Sequence, residues 1–507
     1  MDSENVLEYN LGDYSLRDGI NCLADRRKYC ATHSCITKDF TSEVTIWITA
    51  YNRFEKTKRC VESVLKYTSD VDYDLVLVDN GAGDETYEYF KKVDYPKKTV
   101  LHFDKNTGSA FPFTVVPIDM ISNYFVLLNN DLIVTKNWLS NLLKVMKSDS
   151  RIGVVNPLSN NTSNLQCMEL NYNSYEEMQE MAAKINVSDD SKWEERLRIV
   201  TLGTLVSKDC LYAMGWPFFD VGFSHNFMDD DMSFRARRAG YRLIVTRDTW
   251  ICHDHPFEHE KADELTEILD RDKAKFQGKY YGIDPWNDAT YSMKSIPDLL
   301  NQVKQTQKND INILGIDPKC GMPILDIKNT FGHHRTVTTS AFFQEPKYYI
   351  DLSSICNDQV VCDREENIKC YFVENTFDYI VMGESVNVYN DPVRMIKEAY
   401  DLLAVGGQFI FPLKNTKNVL SLLSTIGYEI NNEQGIYLDL TLDELNGILC
   451  GFGIEIKGVA VEYYKNISHS INELACKILQ YSNKNADLNE ISTRILTDKF
   501  WIIVQKN

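Results

Sequence analysis

VTIWITAYN at residues 44–52 is an apolar, β-rich run ending in a polar turn, and KTKRCVESVLKYT at 56–68 follows it as a helical stretch. DLVLVDNGAGDETYEYFKK at 74–92 repeats the unit as apolar strand, glycine-bearing turn and amphipathic helix. Strands and helices alternating at this interval predict a parallel, doubly wound sheet, since parallel neighbours need a helical crossover. The alternation continues through TVLHFD at 99–104 and YFVLLNNDLIV at 124–134, then loosens between Asn160 and Arg198. It resumes from IVTLGTLVSKDCLYAMGW at 199–216 to YRLIVTRDTWICH at 241–253, and a helix from Glu258 to Tyr280 closes the unit.

Residues 283–310 are turn-rich and then polar, which suits a connector. A second αβ pattern starts with INILGID at 311–317 and runs to a strand-like end, TDKFWIIVQKN, at 497–507. The expected organisation is an extension over 1–42, an α/β domain over 43–285, a linker over 286–310 and a second α/β domain over 311–507.

Composition narrows the classes. With 507 residues, 44% hydrophobic and 25% charged, the chain is of globular type. Its net charge of −19 argues against sequence-independent nucleic-acid binding, which rests on neutralising phosphates. No apolar run reaches the ~20 residues of a membrane span, and MDSENVLEYN lacks the layout of a signal peptide. A soluble, cytoplasmic protein is the expectation. Its 13 cysteines read as reduced thiols. Cys22, Cys30, His33 and Cys35 cluster, but without the paired C-x2-C spacing of structural zinc sites, so ordinary thiols are the reading there.

In open α/β sheets ligands gather beyond the carboxyl ends of strands. Ala50, Tyr51, Asn52 and Arg53 follow the first strand, Asp79 and Asn80 the second, and Asn129, Asn130 and Asp131 the fourth. A carboxylate at one strand end can read the donor edge of a base, and one at a neighbouring strand end can hold a divalent cation bridging phosphates. A single strand-end Asp or Asn commonly caps a turn. Three in register on successive strands point instead to a ligand.

TAYNR, LVLVDNGAGDET, Asn106-Thr-Gly108, LLNNDLIVTKNWL, VVNPLSNNTSNLQ and NFMDDDMSFRARRAGYRL resemble the GT-A glycosyltransferases of family 2 over residues 43–285. The resemblance implies a GT-A nucleotide-sugar-binding fold and inverting transfer from a nucleotide diphosphate sugar with Mn²⁺ or Mg²⁺. It places the metal-binding DxD motif on Asn129-Asn130-Asp131, leaving Asp131 as its carboxylate, and adds His253 to the metal shell. The family's acidic motif falls on Met228-Asp229-Asp230-Asp231, with Asp229 as base toward the acceptor hydroxyl and Asp230 as second choice. Asp231 reads as structural, at the start of a helix. Gly203 and Thr204 fall where the family lets backbone approach the donor sugar, Gly108 joins the nucleotide-sugar-binding residues, and Trp216 is a candidate sugar platform, whereas Phe218 and Phe219 read as core. His255 and His259 lie close to His253, but Pro256 breaks the spacing that a zinc trio would prefer.

FDYIVMGESVNVYNDPVRMIKEAYDLLAVGGQFIFPLKN at 377–415 resembles class I methyltransferases that use S-adenosylmethionine, over residues 311–507. The resemblance implies a Rossmann-like domain with a glycine-rich first loop and an acid that holds the ribose. Here that loop reads ILGIDPKCGMPILDI, with Pro318 and Lys319 in place of glycines and Gly321 retained. No acid follows RTVTTSAFF in the ribose position, and Asp351 and Glu384 match only by loose spacing. The expectation is a domain that has lost catalysis, with no use of S-adenosylmethionine, and that binds the acceptor or pairs subunits into an oligomer.

The favoured reading is therefore a metal-dependent, inverting transferase using a UDP-sugar, UDP-N-acetylglucosamine first, on an acceptor protein or glycan. Asp79 would read the uracil. The alternatives are a bifunctional glycosyltransferase and methyltransferase, and a non-catalytic carbohydrate-binding scaffold.

Overall fold

The computed structural model describes residues 6–10, 40–116, 118, 121–223, 226–254, 262–290, 292–332, 335–421, 438–464 and 494–507. Two compact units divide the chain, Met1–Thr290 and Tyr291–Asn507.

In chain order the first unit carries β1 (Val6–Tyr9), β2 (Val44–Ala50), α1 (Phe54–Tyr67), β3 (Tyr73–Asn80), α2 (Thr86–Lys92), β4 (Lys98–Phe103), β5 (Tyr124–Asn129) and β6 (Leu132–Ile133). There follow α3 (Trp138–Met146), β7 (Ile152–Ser159), α4 (Tyr175–Ile185), β8 (Trp193–Arg196), β9 (Thr204–Ser207), α5 (Lys208–Met214), α6 (Met228–Arg238), β10 (Arg242–His253) and α7 (Ala262–Lys279). All eight residues of β3 are buried, as befits a central strand with both faces covered. From β2 the chain steps through β3 to β4 on one side, and β5 then pairs in parallel with β2 on the other. The sheet therefore reverses its winding between β2 and β5, and their carboxyl ends open the crevice where such sheets take ligands.

Two features depart from the expected pattern. The sheet is mixed, because β9 runs antiparallel between β5 and β7, and β6 and β8 pair antiparallel with β10. The extension over 1–42 also contributes a strand, since β1 pairs in parallel with β4 at the sheet edge. Four residues are too few to display a strand period. Glu8 of β1 accepts a hydrogen bond from the Tyr87 hydroxyl at 2.6 Å, and the Tyr87 ring stacks on His102 of β4 at 3.9 Å.

The second unit holds β11 (Asp310–Ile316), α8 (Met322–Asn329), β12 (Thr336–Phe343), α9 (Tyr349–Ile355), β13 (Val360–Cys362) and β14 (Phe377–Met382). It continues with α10 (Pro392–Leu402), β15 (Leu403–Lys414), α11 (Leu442–Gly451), β16 (Ile456–Tyr463) and β17 (Thr497–Gln505). Its sheet runs β13-β12-β11-β14-β15-β17-β16, parallel as far as β15 and antiparallel beyond. This Rossmann-like order reverses between β11 and its neighbours β12 and β14.

The segment read as a linker divides between the units. Residues 286–290 belong to the first, where Pro285–Asp288 forms a helical turn capped by Asp284. Residues 292–310 lie on the second: the Met293 amide and Ser292 hydroxyl donate to the buried Asp326 carboxylate, and the Tyr379 hydroxyl donates to Lys304 O at 2.7 Å.

Candidate active site

The turn after β2 is built on two consecutive left-handed residues, Asn52 at φ 54° and Arg53 at φ 61°. Its neighbours fix it. Asn52 Oδ1 accepts from Gly83 N at 2.9 Å, Asp84 Oδ2 from Phe54 N at 3.0 Å, and Asn130 Nδ2 donates to Thr57 Oγ1 at 2.8 Å and to Asn52 O at 3.3 Å. Asn130 thus braces the turn. Ala50 is buried in β2, while Tyr51 beyond it is 45% exposed. Asn80 ties down the 106–108 turn, accepting from Thr107 N and donating to Gly108 O, both at 3.0 Å.

Asp79 is fully buried, and each of its oxygens has a protein partner: Oδ1 accepts from Ala82 N at 3.0 Å, and Oδ2 lies 2.5 Å from His102 Nδ1. Burial raises its carboxyl above the ordinary value, against the pull of those bonds. His102 was absent from the sequence reading, and 23 residues separate it from its partner.

After β5, Asn129 is half-buried and Asp131 is buried. Asp131 Oδ2 lies 3.6 Å from His253 Nε2 and 3.7 Å from Arg53 Nη1. His253 Nδ1 lies 3.2 Å from Asn161 O, so a proton on Nδ1 would donate to that carbonyl and leave the Nε2 lone pair facing Asp131. Burial presses the imidazole pKa down, but the Asp131 carboxylate and the Asn161 carbonyl outweigh it and hold it above the ordinary value. A carboxylate and an imidazole nitrogen at this separation, with the tautomer set from behind, fit a divalent cation whose other ligands are diphosphate oxygens and water. Among the described residues no cluster of three or more His, Cys, Asp or Glu side chains forms a metal cage. His255, His259 and the Cys22, Cys30, His33 and Cys35 group lie outside the described residues.

The three successive carboxylates of α6 go three ways, because a helix turns each residue about 100° from the last. Asp231, fully buried, accepts from Arg235 Nε at 2.7 Å, Lys279 Nζ at 2.5 Å and the Tyr280 hydroxyl at 2.7 Å. Asp230, also buried, pairs with Arg198 and accepts from Trp286 Nε1 at 3.3 Å. Asp229 is only half-buried, and its Oδ1 accepts from the Thr201 hydroxyl at 2.5 Å. Burial, then the neighbouring Asp230 charge, raise its pKa, while Thr201 and Arg198 draw it back. Of the two candidate bases, Asp229 is the one with no cationic partner bound to it among the described residues.

Gly203, at φ +66°, joins this region to the strand ends. A Cβ there would stand 2.6 Å from Ile251 Cδ1 and 3.5 Å from Leu128 Cδ2, so only glycine lets the chain pass between β5 and β10. Ile251 is two residues before His253, and Leu128 three before Asp131. Arg235 also donates to Gly215 O at 2.9 Å and Phe218 O at 2.6 Å, so the helix that carries Asp229 clamps the aromatic loop. Trp216 in that loop is half-buried, edge-on to Phe113 and Phe125, while Phe218 and Phe219 are core.

At the corresponding strand ends of the second unit, the Asp317 carboxylate accepts from the Tyr389 hydroxyl at 2.6 Å and from Gln344 N at 2.9 Å. Gln344 occupies the position directly after β12. A Cβ on Gly321 would stand 2.1 Å from Ile355 Cδ1 and 3.1 Å from Leu352 Cδ2. The room this glycine creates is filled by the protein's own α9. Asp351, buried within α9, and Glu384, 3.5 Å from Lys319 Nζ, are the two loosely spaced acids.

Residues 45–192 match the family model described as Glycosyl transferase family 2, which supports a glycosyltransferase. Among solved structures the chain is similar to the mannosyltransferase PcManGT from Pyrobaculum calidifontis in complex with GDP-Man and Mn²⁺, at 14% identity and TM-score 0.33. That likeness covers 46% of this chain and 64% of that one. It is similar also to GalNAc-T7 with UDP, GalNAc and Mn²⁺, at 13% identity and TM-score 0.38, covering 55% of each chain. A third likeness is to the complex between the Haloferax volcanii Trm112 methyltransferase activator and a protein described as a methyltransferase, at 12% identity and TM-score 0.29. It covers 46% of this chain and 91% of that one. The chain thus spans less than two thirds of the first two structures. No curated protein matched the sequence. No described helix is long and apolar enough to cross a membrane.

Proposed function

We propose that this protein is an inverting, divalent-cation-dependent glycosyltransferase that moves a sugar from a UDP-sugar to an acceptor hydroxyl, with UDP-N-acetylglucosamine as the first donor to test. The observation that carries the reading is Asp229: a half-buried carboxylate with a raised pKa, held by a hydroxyl and, among the described residues, bound to no cation, beside the Gly203 turn that packs on the strand ends.

In this reading the acceptor hydroxyl gives its proton to Asp229 as its oxygen bonds the anomeric carbon. Attack comes from the face opposite the diphosphate, whose bond to that carbon breaks, so configuration inverts. Asp131 and His253 would hold the cation, which neutralises charge on the diphosphate. Asp79, buried with its oxygens held by Ala82 and His102, would have to release His102 to meet the uracil edge. Ala50, Tyr51, Asn52, Arg53, Gly108, Asn129 and Gly203 shape the donor crevice, and Arg53 supplies a half-exposed guanidinium at its mouth. The acceptor class we favour is a hydroxyl of a protein Ser or Thr, as on flagellin, or of a surface glycan.

The second unit, in the same proposal, takes no S-adenosylmethionine, because Pro318 and Lys319 stand in place of glycines in its first loop and Asp317 is already held by Tyr389 and Gln344. The test is a screen of UDP-sugars for UDP release with Mn²⁺, followed by mass spectrometry of lysate proteins for the added sugar. Release above the no-enzyme rate, abolished in Asp229→Asn, supports the proposal. No release from any UDP-sugar sinks it.

A further inference from the structure

Asp229 faces a short stretch of chain, residues 197–203, that is gripped residue by residue. On one side is α6: Arg237 Nε donates to Leu197 O at 2.7 Å, Arg198 pairs with Asp230, and Ser233 Oγ accepts from Ile199 N at 3.1 Å. The same Ser233 hydroxyl donates to Asp229 O at 2.7 Å, locking the first turn of α6 to the stretch. On the other side, Gln166 brackets Val200, accepting from its N at 2.8 Å and donating to its O at 3.0 Å, while Asn164 Nδ2 donates to Arg198 O at 2.8 Å. Thr201 comes next. It is 7% exposed, and its hydroxyl lies 2.5 Å from Asp229 Oδ1. A hydroxyl carried on chain this constrained has one direction in which to donate, and Asp229 occupies it.

We infer that Thr201 is the positioning residue of the base: its hydroxyl pins Asp229 Oδ1 and so sets the direction in which the carboxylate meets the acceptor hydroxyl. The inference rests on the reading of Asp229 as base. Thr201 acts through Asp229 and is assigned no contact with the reacting atoms.

The same bond bears on basicity. Burial raises the Asp229 pKa and the Asp230 charge adds to it, while the Thr201 hydroxyl, the Arg198 guanidinium and the Thr201 amide oppose them. The charged groups facing Asp229 are therefore Asp230 on its own helix and Arg198 on the facing stretch. Lys279 of α7, Tyr280 just beyond it, and Arg235 of α6 engage Asp231 instead. Without the Thr201 donor the charged form loses support, and the carboxylate stays protonated to higher pH.

The test uses the full chain with Thr201→Val, which keeps the shape and removes the hydroxyl, and Thr201→Ser, which restores it. UDP release from the UDP-sugar that the screen identifies, with Mn²⁺ and water serving as acceptor, is followed from about pH 5 to 9. Thr201→Val should lower kcat about tenfold near neutrality, leave KM for the donor unchanged, and move the acid limb of the profile upward by roughly half to one pH unit. Thr201→Ser should keep the position of the limb. An unmoved limb in Thr201→Val, or a Thr201→Ser as impaired as Thr201→Val, overturns the inference. If Asp229→Asn is inactive while the Thr201→Val limb stays put, this inference alone fails. If Asp229→Asn keeps its turnover, or the unsubstituted protein releases no UDP, the underlying reading fails with it.

Discussion

The two units carry the same kind of switch point and treat it in opposite ways. In the first, polar groups remain partly presented: Tyr51 and Arg53 after β2 are exposed, and Asp229 at the start of α6 is half-buried. In the second, the half-buried Asp317 after β11 is already held by Tyr389 and Gln344, and Ile355 packs against Gly321. The lesson concerns what a strand order can say. Topology fixes where a site can be, and the side chains that arrive there decide whether space remains for a ligand.

The strongest attack on this contrast is Asp229→Asn. It should cut turnover ~10²–10⁴-fold with UDP affinity little changed, because in the proposed mechanism the base faces the acceptor. Near-normal turnover with a large loss in Asp230→Asn would move the base one residue along, and activity in both variants would end the mechanism.

Next in size is Arg198→Ala, which leaves Asp230 buried without its cation and should destabilise the first unit by about 3–5 kcal/mol. Denaturant melts check it. A loss below about 1 kcal/mol would mean that Asp230 is better hydrated than its burial implies.

Asp131→Asn should weaken cation and UDP binding together, by roughly 10- to 100-fold, as loss of a charged contact does. Calorimetry with Mn²⁺ and UDP tests it, and unchanged affinity for both would remove Asp131 from the shell.

Two smaller effects probe the second unit. Tyr389→Phe removes a donor from Asp317 and should cost the second unit about 1–3 kcal/mol, without creating affinity for labelled S-adenosylmethionine. Tight binding of that cofactor to the unsubstituted protein would erase the contrast altogether.

Last, Asp229→Asn should slightly raise the melting midpoint at neutral pH. The folded pKa of Asp229 lies above its ordinary 3.8, so the folded state holds the proton more tightly and stability falls as pH rises through that window. At neutrality the full cost is present, and Asn removes it. An unchanged or lowered midpoint would argue that Asp229 is not under that strain.

Much of this could be read in the linear chain. The strand–helix alternation located β2, β3 and β5, hence the crevice, and the acidic run located α6. What could not be read were the partners that sort equivalent-looking residues. Thr201 and Arg198 lie 28 and 32 residues before the carboxylates they hold, and helical rotation, invisible in DDD as a string, sends Asp231 inward and leaves Asp229 half-exposed. Asn130 looked like a member of a metal motif and instead braces a turn through Thr57, 73 residues away. β9 was read as part of a strand–helix repeat, yet its antiparallel direction depends on where the 197–203 stretch delivers it. In the second unit, Pro318 and Lys319 signalled a poor cofactor loop, but Ile355, which packs against Gly321, belongs to a helix whose packing no local pattern discloses.

Strand β1 has a consequence for anyone who prepares this protein. Residues 1–42 look like the natural piece to trim, and trimming them would strip β1 from the sheet. The outer backbone of β4 would then be open to pairing with another chain, a common route to aggregation. The loss would also reach further in, because Glu8 holds the Tyr87 hydroxyl, Tyr87 stacks on His102, and His102 holds Asp79. A shortened protein that precipitates, or that survives with weakened nucleotide affinity, would owe either defect to four residues far from any motif, so affinity tags are better placed at the carboxyl end.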